Sequence, residues 1–153
     1  MRVTADSNIL VYAFVRDDPE KHRIASEIMI RMMDVDAVLT AQSLGEFLNV
    51  IRRKHLAAFD AASAQVERWV ATIPTVVTSA EAVIKAATFA RRHRLQLWDS
   101  IIWQVARGAG ASCFVSEDLQ DGLAIDGMTV LNPFNPANAP RLAELLTPAP
   151  GTV

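Results

Sequence analysis

Four acidic residues stand where a polar side chain needs a reason: Asp6, Glu46, Asp99 and Asp118. Asp6 closes the apolar run Arg2-Val3-Thr4-Ala5, and Asp118 follows the run Ser112-Cys113-Phe114-Val115 by way of Ser116 and Glu117. Glu46 lies between Gly45 and Phe47 in an otherwise apolar helical pattern, and Asp99 comes after Leu97-Trp98 at a helix start. Each has an ordinary role open to it. Asp6 and Asp99 can cap a helix or complement its dipole, Glu46 can be a solvated face residue, and Asp118 can belong to a turn. If they converge, two like charges ~4 Å apart cost about 4 kcal/mol at an effective dielectric near 20, and the cluster needs a cation. Oxygen-only ligands suit Mg²⁺ or Mn²⁺. The chain has no His-x-x-x-His and no cysteine pair that would point to zinc. His22, His55 and His93 are scattered and read as surface residues. A cation held by such acids acidifies water and neutralises charge on a phosphoryl oxygen, the requirements of phosphodiester hydrolysis.

The elements that must bring these acids together follow from hydrophobic spacing. Arg2 to Ala5 reads as a strand, Asp6-Ser7-Asn8 as a polar break, and Ile9 to Phe14 as a helix. Asp17-Asp18-Pro19-Glu20 starts a second helix to Met33, with Ile24, Ile28, Met29 and Met32 at helical spacing. Ala37 to Thr40 is the second strand. Leu44, Phe47, Leu48 and Ile51 mark one face of a helix to Lys54 that carries Glu46. From Asp60 another helix places Val66, Trp69, Val70 and Ile73 inward, before Pro74 and a β-branched strand Thr75 to Thr78. A helix from Ser79 to His93 has Val83, Ala86, Ala87 and Ala90 as its inner side, and Trp98 to Arg107 forms the next, ended by Gly108-Ala109-Gly110. Strands at Ser112 to Val115 and Met128 to Leu131 complete the series. Short apolar strands alternating with helices predict an α/β fold, a parallel sheet covered on both faces. Ligands of such sheets bind beyond the carboxyl ends of the strands, where Asp6 and Asp118 fall.

At 153 residues, with 51% hydrophobic and 21% charged residues, the chain is read as one folded domain. No apolar run reaches the ~18 residues of a membrane span and no signal segment opens the sequence, so a soluble, cytoplasmic protein is expected. The single cysteine, Cys113, beside Phe114 and Val115, is expected to be a buried thiol. Five of the seven prolines lie beyond Leu131, which divides the chain into a domain over 1–134 and a peripheral Pro-rich tail over 135–153 with one short helix near Arg141 to Leu146. A net charge of −2 supplies no global basic field. Twelve of the 15 basic residues are Arg, however, and they cluster at Arg52-Arg53-Lys54 and Arg91-Arg92-His93-Arg94. These clusters can hold phosphates, close two helices as dipole-complementing cations, or do both.

Four segments in order, Ala-Asp6-Ser-Asn8-Ile-Leu, Glu46-Phe-Leu-Asn, Leu-Trp-Asp99-Ser-Ile-Ile and Val-Ser116-Glu-Asp118-Leu-Gln, resemble the PIN-domain ribonucleases, in particular the VapC-type toxins of toxin–antitoxin pairs. The resemblance spans roughly residues 2 to 134. It implies a PIN-like three-layer α/β/α fold with a short central parallel sheet. It also implies that Asp6, Glu46, Asp99 and Asp118 are the catalytic, metal-holding acids, that Asn8 supports Asp6, and that the Ser116 hydroxyl stands where the family often has Thr. Mg²⁺ or Mn²⁺, an RNA substrate cut to 5′-phosphate and 3′-hydroxyl ends, a homodimer and a small antitoxin partner are implied with it. Arg52, Arg53, Arg91, Arg92 and Arg94 would then hold flanking phosphates without reading bases. Glu117 and Asp121 add acids beside Asp118, and which of the three approaches the metal is open at this level.

Three rival readings share the acidic α/β pattern. A phosphatase with a carboxylate nucleophile wants a second Asp two positions after the first, where this chain has Asn8. A receiver-type domain wants a late Lys, and the last one here is Lys85. A non-catalytic binding module has no need of intact acids at all four positions.

Overall fold

The computed structural model describes residues 1–149, and the notable feature of its sheet is how short the strands are for the core they organise. In chain order the elements are β1 (Arg2–Ala5), α1 (Ser7–Phe14), α2 (Pro19–Arg31), β2 (Leu39–Thr40), α3 (Ala41–Lys54), α4 (Phe59–Thr72), β3 (Thr75–Val76) and α5 (Ala80–His93). They continue with α6 (Leu97–Gly108), β4 (Ala111–Val115), β5 (Ala124–Ile125), β6 (Met128–Leu131) and α7 (Ala139–Leu145). Strands β1, β4 and β6 are mutually parallel, with β4 central, and β5 pairs antiparallel on the outer edge of β6. The parallel pair β2–β3 continues the sheet on the other side through a bridge between Val3 and Ala37. The amide of Val38 donates to the Val3 carbonyl at 2.9 Å and that of Val3 to Asp36 at 3.0 Å, which fixes this junction.

Alternation along the strands divides the core between the two faces, as a pleated chain requires. Val3, Ala5, Cys113, Val115 and Leu131 face a layer made by α1 to α4. Phe114, Met128 and Val130 face α5 and α6 through Phe89, Ile102 and Trp103. The result is the expected three-layer α/β/α arrangement. Cys113 is fully buried, and burial pushes its thiol up to about 11, so it serves as a small apolar residue. Among the described residues no helix is long and apolar enough to cross a membrane.

Four local expectations change. Strand β5 was not foreseen; it forms because Asp126 and Gly127 adopt positive φ angles of 50° and 84°, giving the two-residue turn that matches strand twist. The expected strand Thr75 to Thr78 ends at Val76, leaving Val77 80% exposed. On α4 the stripe passes through Ala62, Trp69 and Ile73, and Val70 lies outside it, 48% exposed. On α5 the inner face is Ala86 and Phe89, with Val83 and Ala87 exposed, because the Phe89 ring stacks 5.7 Å from Trp103 and turns that edge of the helix inward. The segment beyond Leu131 carries α7 and places Leu146 in the core beside Leu142 and Leu145. Residues 150–153 of the expected tail lie outside the described residues.

Candidate active site

The carboxyl edge of the sheet is where the four acids gather, and each is carried there by a different element. The amide of Asp6, directly after β1, donates to the Val115 carbonyl at 2.9 Å, and that of Ser116, directly after β4, donates to Leu131 at 3.1 Å. The two loops therefore leave adjacent strands side by side.

Asp6 is 1% exposed and sits in a cradle of donors. Its Oδ1 accepts from the Ser7 amide at 2.8 Å, so it does cap α1. Its Oδ2 accepts from the Ser116 hydroxyl at 2.7 Å and from Asn8 Nδ2 at 3.4 Å. Ser116 Oγ in turn accepts from the Asp118 amide at 3.1 Å, which ties the acid of β1 to the loop that carries Asp118. Burial pushes the Asp6 carboxyl up to about 7; the Ser116 and Ser7 donors pull it back, while the charges of Asp99 and Asp118 raise it further. Capping and convergence are thus not alternatives for this residue.

Glu46 arrives on α3 through a buried polar clasp. Ser43 Oγ donates to the Ala5 carbonyl at 3.3 Å and lies 2.8 Å from Thr40 Oγ1, which also accepts from the Ser43 amide as the cap of α3. Ser43 and Glu46 are three residues apart and share a helix face, so pinning the first to the end of β1 presents the second to Ser7, the residue after Asp6. Ser7 Oγ donates to Glu46 Oε2 at 2.9 Å and Gln42 Nε2 donates to Oε1 at 3.0 Å, orienting the carboxylate. Asp99 lies in the first turn of α6, half-buried. Burial raises its carboxyl to about 6, and the charges of Glu46 and Asp118 add to the rise. Asp99 is therefore the acid within electrostatic reach of the other three.

Glu46, Asp99 and Asp118 line a cleft of ≈ 1110 Å³ together with Ser7, whose amide donates to Asp6; Asp6 itself is buried and does not line it. Of the five arginines singled out from the sequence, Arg53 and Arg94 line this cleft. Arg52, Arg91 and Arg92 are exposed outside its lining, and Arg52 donates to Asn49 on its own helix. Arg94 reaches the cleft by ending α5 in the left-handed conformation, φ 56° and ψ 41°, at a cost of roughly 1 kcal/mol for a residue with a Cβ. Glu117 and Asp121 are committed elsewhere. Glu117 accepts from Tyr12 and from Lys21 at 2.5 and 2.6 Å. Asp121 accepts from the Asn132 amide and from the side chains of Asn135 and Asn138, which hold its carboxyl below the usual range. Asp118 is the acid of that loop that faces the cleft. Sequence reasoning missed Gln42, Ser43, Trp98 and Thr78 as parts of the site, although Trp98 adjoins Asp99 in the motif itself.

The donor chemistry fits a hard cation: carboxylate oxygens, two of them on acids pushed toward protonation by burial and by neighbouring acids, and a buried Asn8 Oδ1 with no hydrogen-bond partner. Among the described residues no three His, Cys, Asp or Glu side chains are arranged to grip one ion directly.

The layered sheet and the acids at its carboxyl edge define an acidic-cleft α/β domain. The chain belongs to the PIN domain family, whose model matches residues 3–120, from β1 to the loop that carries Asp118. Solved structures with the same fold include a toxin–antitoxin complex from Klebsiella pneumoniae at 17% identity and TM-score 0.63, covering 86% of this chain and 98% of that one. VapC20 of Mycobacterium tuberculosis, a sarcin–ricin loop cleaving toxin, aligns at 17% identity and TM-score 0.62 over 73% and 86% of the two chains. A DNA-bound VapBC complex from Salmonella typhimurium aligns at 17% identity and TM-score 0.61 over 87% and 98%. No curated protein sequence matches the chain.

Proposed function

We propose that this protein is a divalent-metal-dependent endoribonuclease, the toxin of a toxin–antitoxin pair. The observation that carries the proposal is that Glu46, Asp99 and Asp118 line one cleft of a PIN domain, with buried Asp6 in electrostatic reach of Asp99 and Asp118 and with Arg53 and Arg94 on the same walls. Asp6, Glu46, Asp99 and Asp118 are the residues that would hold Mg²⁺ or Mn²⁺. A cation there supplies charge neutralisation on a phosphoryl oxygen and activation of water. The chain does the rest. Ser116, Ser7 and Asn8 hold the Asp6 oxygens, and Ser7 with Gln42 holds those of Glu46, so the acids keep their orientation when substrate enters. Asp6, at about 7, keeps roughly half its proton near neutrality, while Asp99, at about 6, is mostly ionised there, so a cation that binds displaces a proton chiefly from Asp6. Arg53 and Arg94 would take the phosphates that flank the scissile one.

Residue 8 supports hydrolysis by water over a carboxylate-nucleophile phosphatase: it is an amide that donates to Asp6, not a second acid. The toxin reading draws on the fold shared with toxin–antitoxin complexes, and a small antitoxin partner and a homodimer belong to it. Induction in a bacterial host, followed by sequencing of RNA 5′-phosphate ends, tests it. Wild type should arrest growth and generate new ends at recurrent sites, and Asp99→Asn should do neither. The same ends from both proteins would refute the assignment.

A further inference from the structure

Trp98 is 57% exposed, and it is the single aromatic residue among the exposed large hydrophobic side chains of the described residues. The other two tryptophans, Trp69 and Trp103, are buried and paired with aromatic rings, whereas Trp98 takes part in none of the described aromatic contacts. Its spacing explains the exposure. Trp98, Ile101, Ile102 and Val105 form one helical stripe, and the last three are buried in the core. The first turn of α6 runs past the core, so the stripe continues onto the cleft wall, one residue before Asp99. An indole left open to water at that position forgoes burial that the rest of the stripe obtains. Its surroundings are mixed: Arg94 and Gln96 supply polar groups, Leu95 and Leu119 apolar ones. Thr78 lines the same cleft, and its buried hydroxyl has no hydrogen-bond partner.

We infer that Trp98 is a stacking platform for one unpaired base of the substrate, the base next to the phosphate cut in the acidic cleft. The inference rests on the ribonuclease reading and extends it from phosphate contacts to base selection. A flat aromatic face accepts any base that has left its helix, and it is out of reach of a base stacked within a duplex. The Thr78 hydroxyl and the Gln96 amide supply hydrogen-bonding groups in the same cleft. Trp98 therefore acts in positioning, setting which phosphate reaches the acids, and takes no part in the chemical step.

The test is a cycle between protein and substrate. RNA oligonucleotides carrying a cleavage site mapped for the wild type are made with a single abasic position moved along the strand, and kcat/KM is measured for wild type, Trp98→Ala and Trp98→Phe. One base beside the scissile phosphate should be worth about 5- to 150-fold to the wild type and nearly nothing to Trp98→Ala. Trp98→Phe should restore most of the loss, and the melting temperature of all three should agree. Equal abasic penalties in wild type and Trp98→Ala at every position would overturn the platform while leaving the nuclease intact. Wild type that cuts no RNA would overturn both readings. A changed oligomeric mass in Trp98→Ala with an unchanged abasic profile would overturn it too, assigning the indole to a protein contact.

Discussion

Replacing Asp6 by Asn should stabilise the metal-free protein, and the gain should depend on pH in a way that capping alone cannot produce. The Asp6 carboxyl rises from an ordinary 3.8 to about 7 because it is buried among other acids. Each tenfold change in proton affinity is worth about 1.4 kcal/mol, so ionised Asp6 opposes folding by about 4 kcal/mol as an upper bound. Below pH 3.8 the group is protonated in folded and unfolded chains alike and contributes nothing to this difference. Between pH 3.8 and about 7 the unfolded chain loses its proton while the native one keeps it, so wild-type stability falls as pH rises. Above about 7 the loss is complete. Asn resembles the neutral acid, keeps an acceptor for the Ser7 amide, and carries no charge to repel Asp99 and Asp118. Urea unfolding in EDTA should therefore find Asp6→Asn more stable than wild type by about 2–4 kcal/mol at pH 8, and by no more than about 1 kcal/mol at pH 4.5. Asp6→Ala should gain about 1 kcal/mol less, through loss of the cap. Mg²⁺ at about 100 times its Kd should stabilise the wild type by about 2.7 kcal/mol and Asp6→Asn by less. An Asp6→Asn protein less stable than wild type at pH 8, or offset by the same amount at every pH, would refute the reasoning.

Two further outcomes follow from the geometry around the acids. Changing Arg53 and Arg94 together to Gln should lower the slope of log K against log salt for single-stranded RNA by about 1.4, and Arg91 with Arg92 should leave it unchanged; filter binding across a salt series reads both. Ser43→Ala removes the clasp between α3 and Ala5 and should cost about 1–2 kcal/mol in urea unfolding while also lowering kcat, because Glu46 is displaced with its helix.

The acids at strand ends were legible because an apolar run that stops at a carboxylate marks both the end of a buried strand and the edge where ligands bind. Asp6 directly after Ala5 showed this, and Asp118 lies three residues beyond Val115 in the acidic loop that follows the second such run. The layered fold was legible for the same reason: strands buried on both faces, such as Ser112 to Val115, read as nearly continuous apolar runs. What escaped depended on contacts between elements. The inner face of α5 is decided by Phe89 meeting Trp103, a pairing across two helices that no spacing within α5 encodes. Only Arg94 of its cluster turns into the cleft, because the helix ends there in a left-handed residue. The engagement of Glu117 by Lys21 and Tyr12, about a hundred residues earlier in the chain, is likewise a contact that no local spacing encodes. Strand β5 is the exception: Asp126-Gly127 is a hairpin signature that could have been read locally.

The central claim, that the four acids work through a shared divalent cation, is tested most directly by cleavage of a long single-stranded RNA by the purified wild-type protein after dialysis against EDTA. Activity should be absent, return on titration with Mg²⁺ or Mn²⁺, and fail to return in Asp99→Asn at any metal concentration. Undiminished cleavage in EDTA, or metal-restored cleavage by Asp99→Asn equal to that of the wild type, would contradict the account.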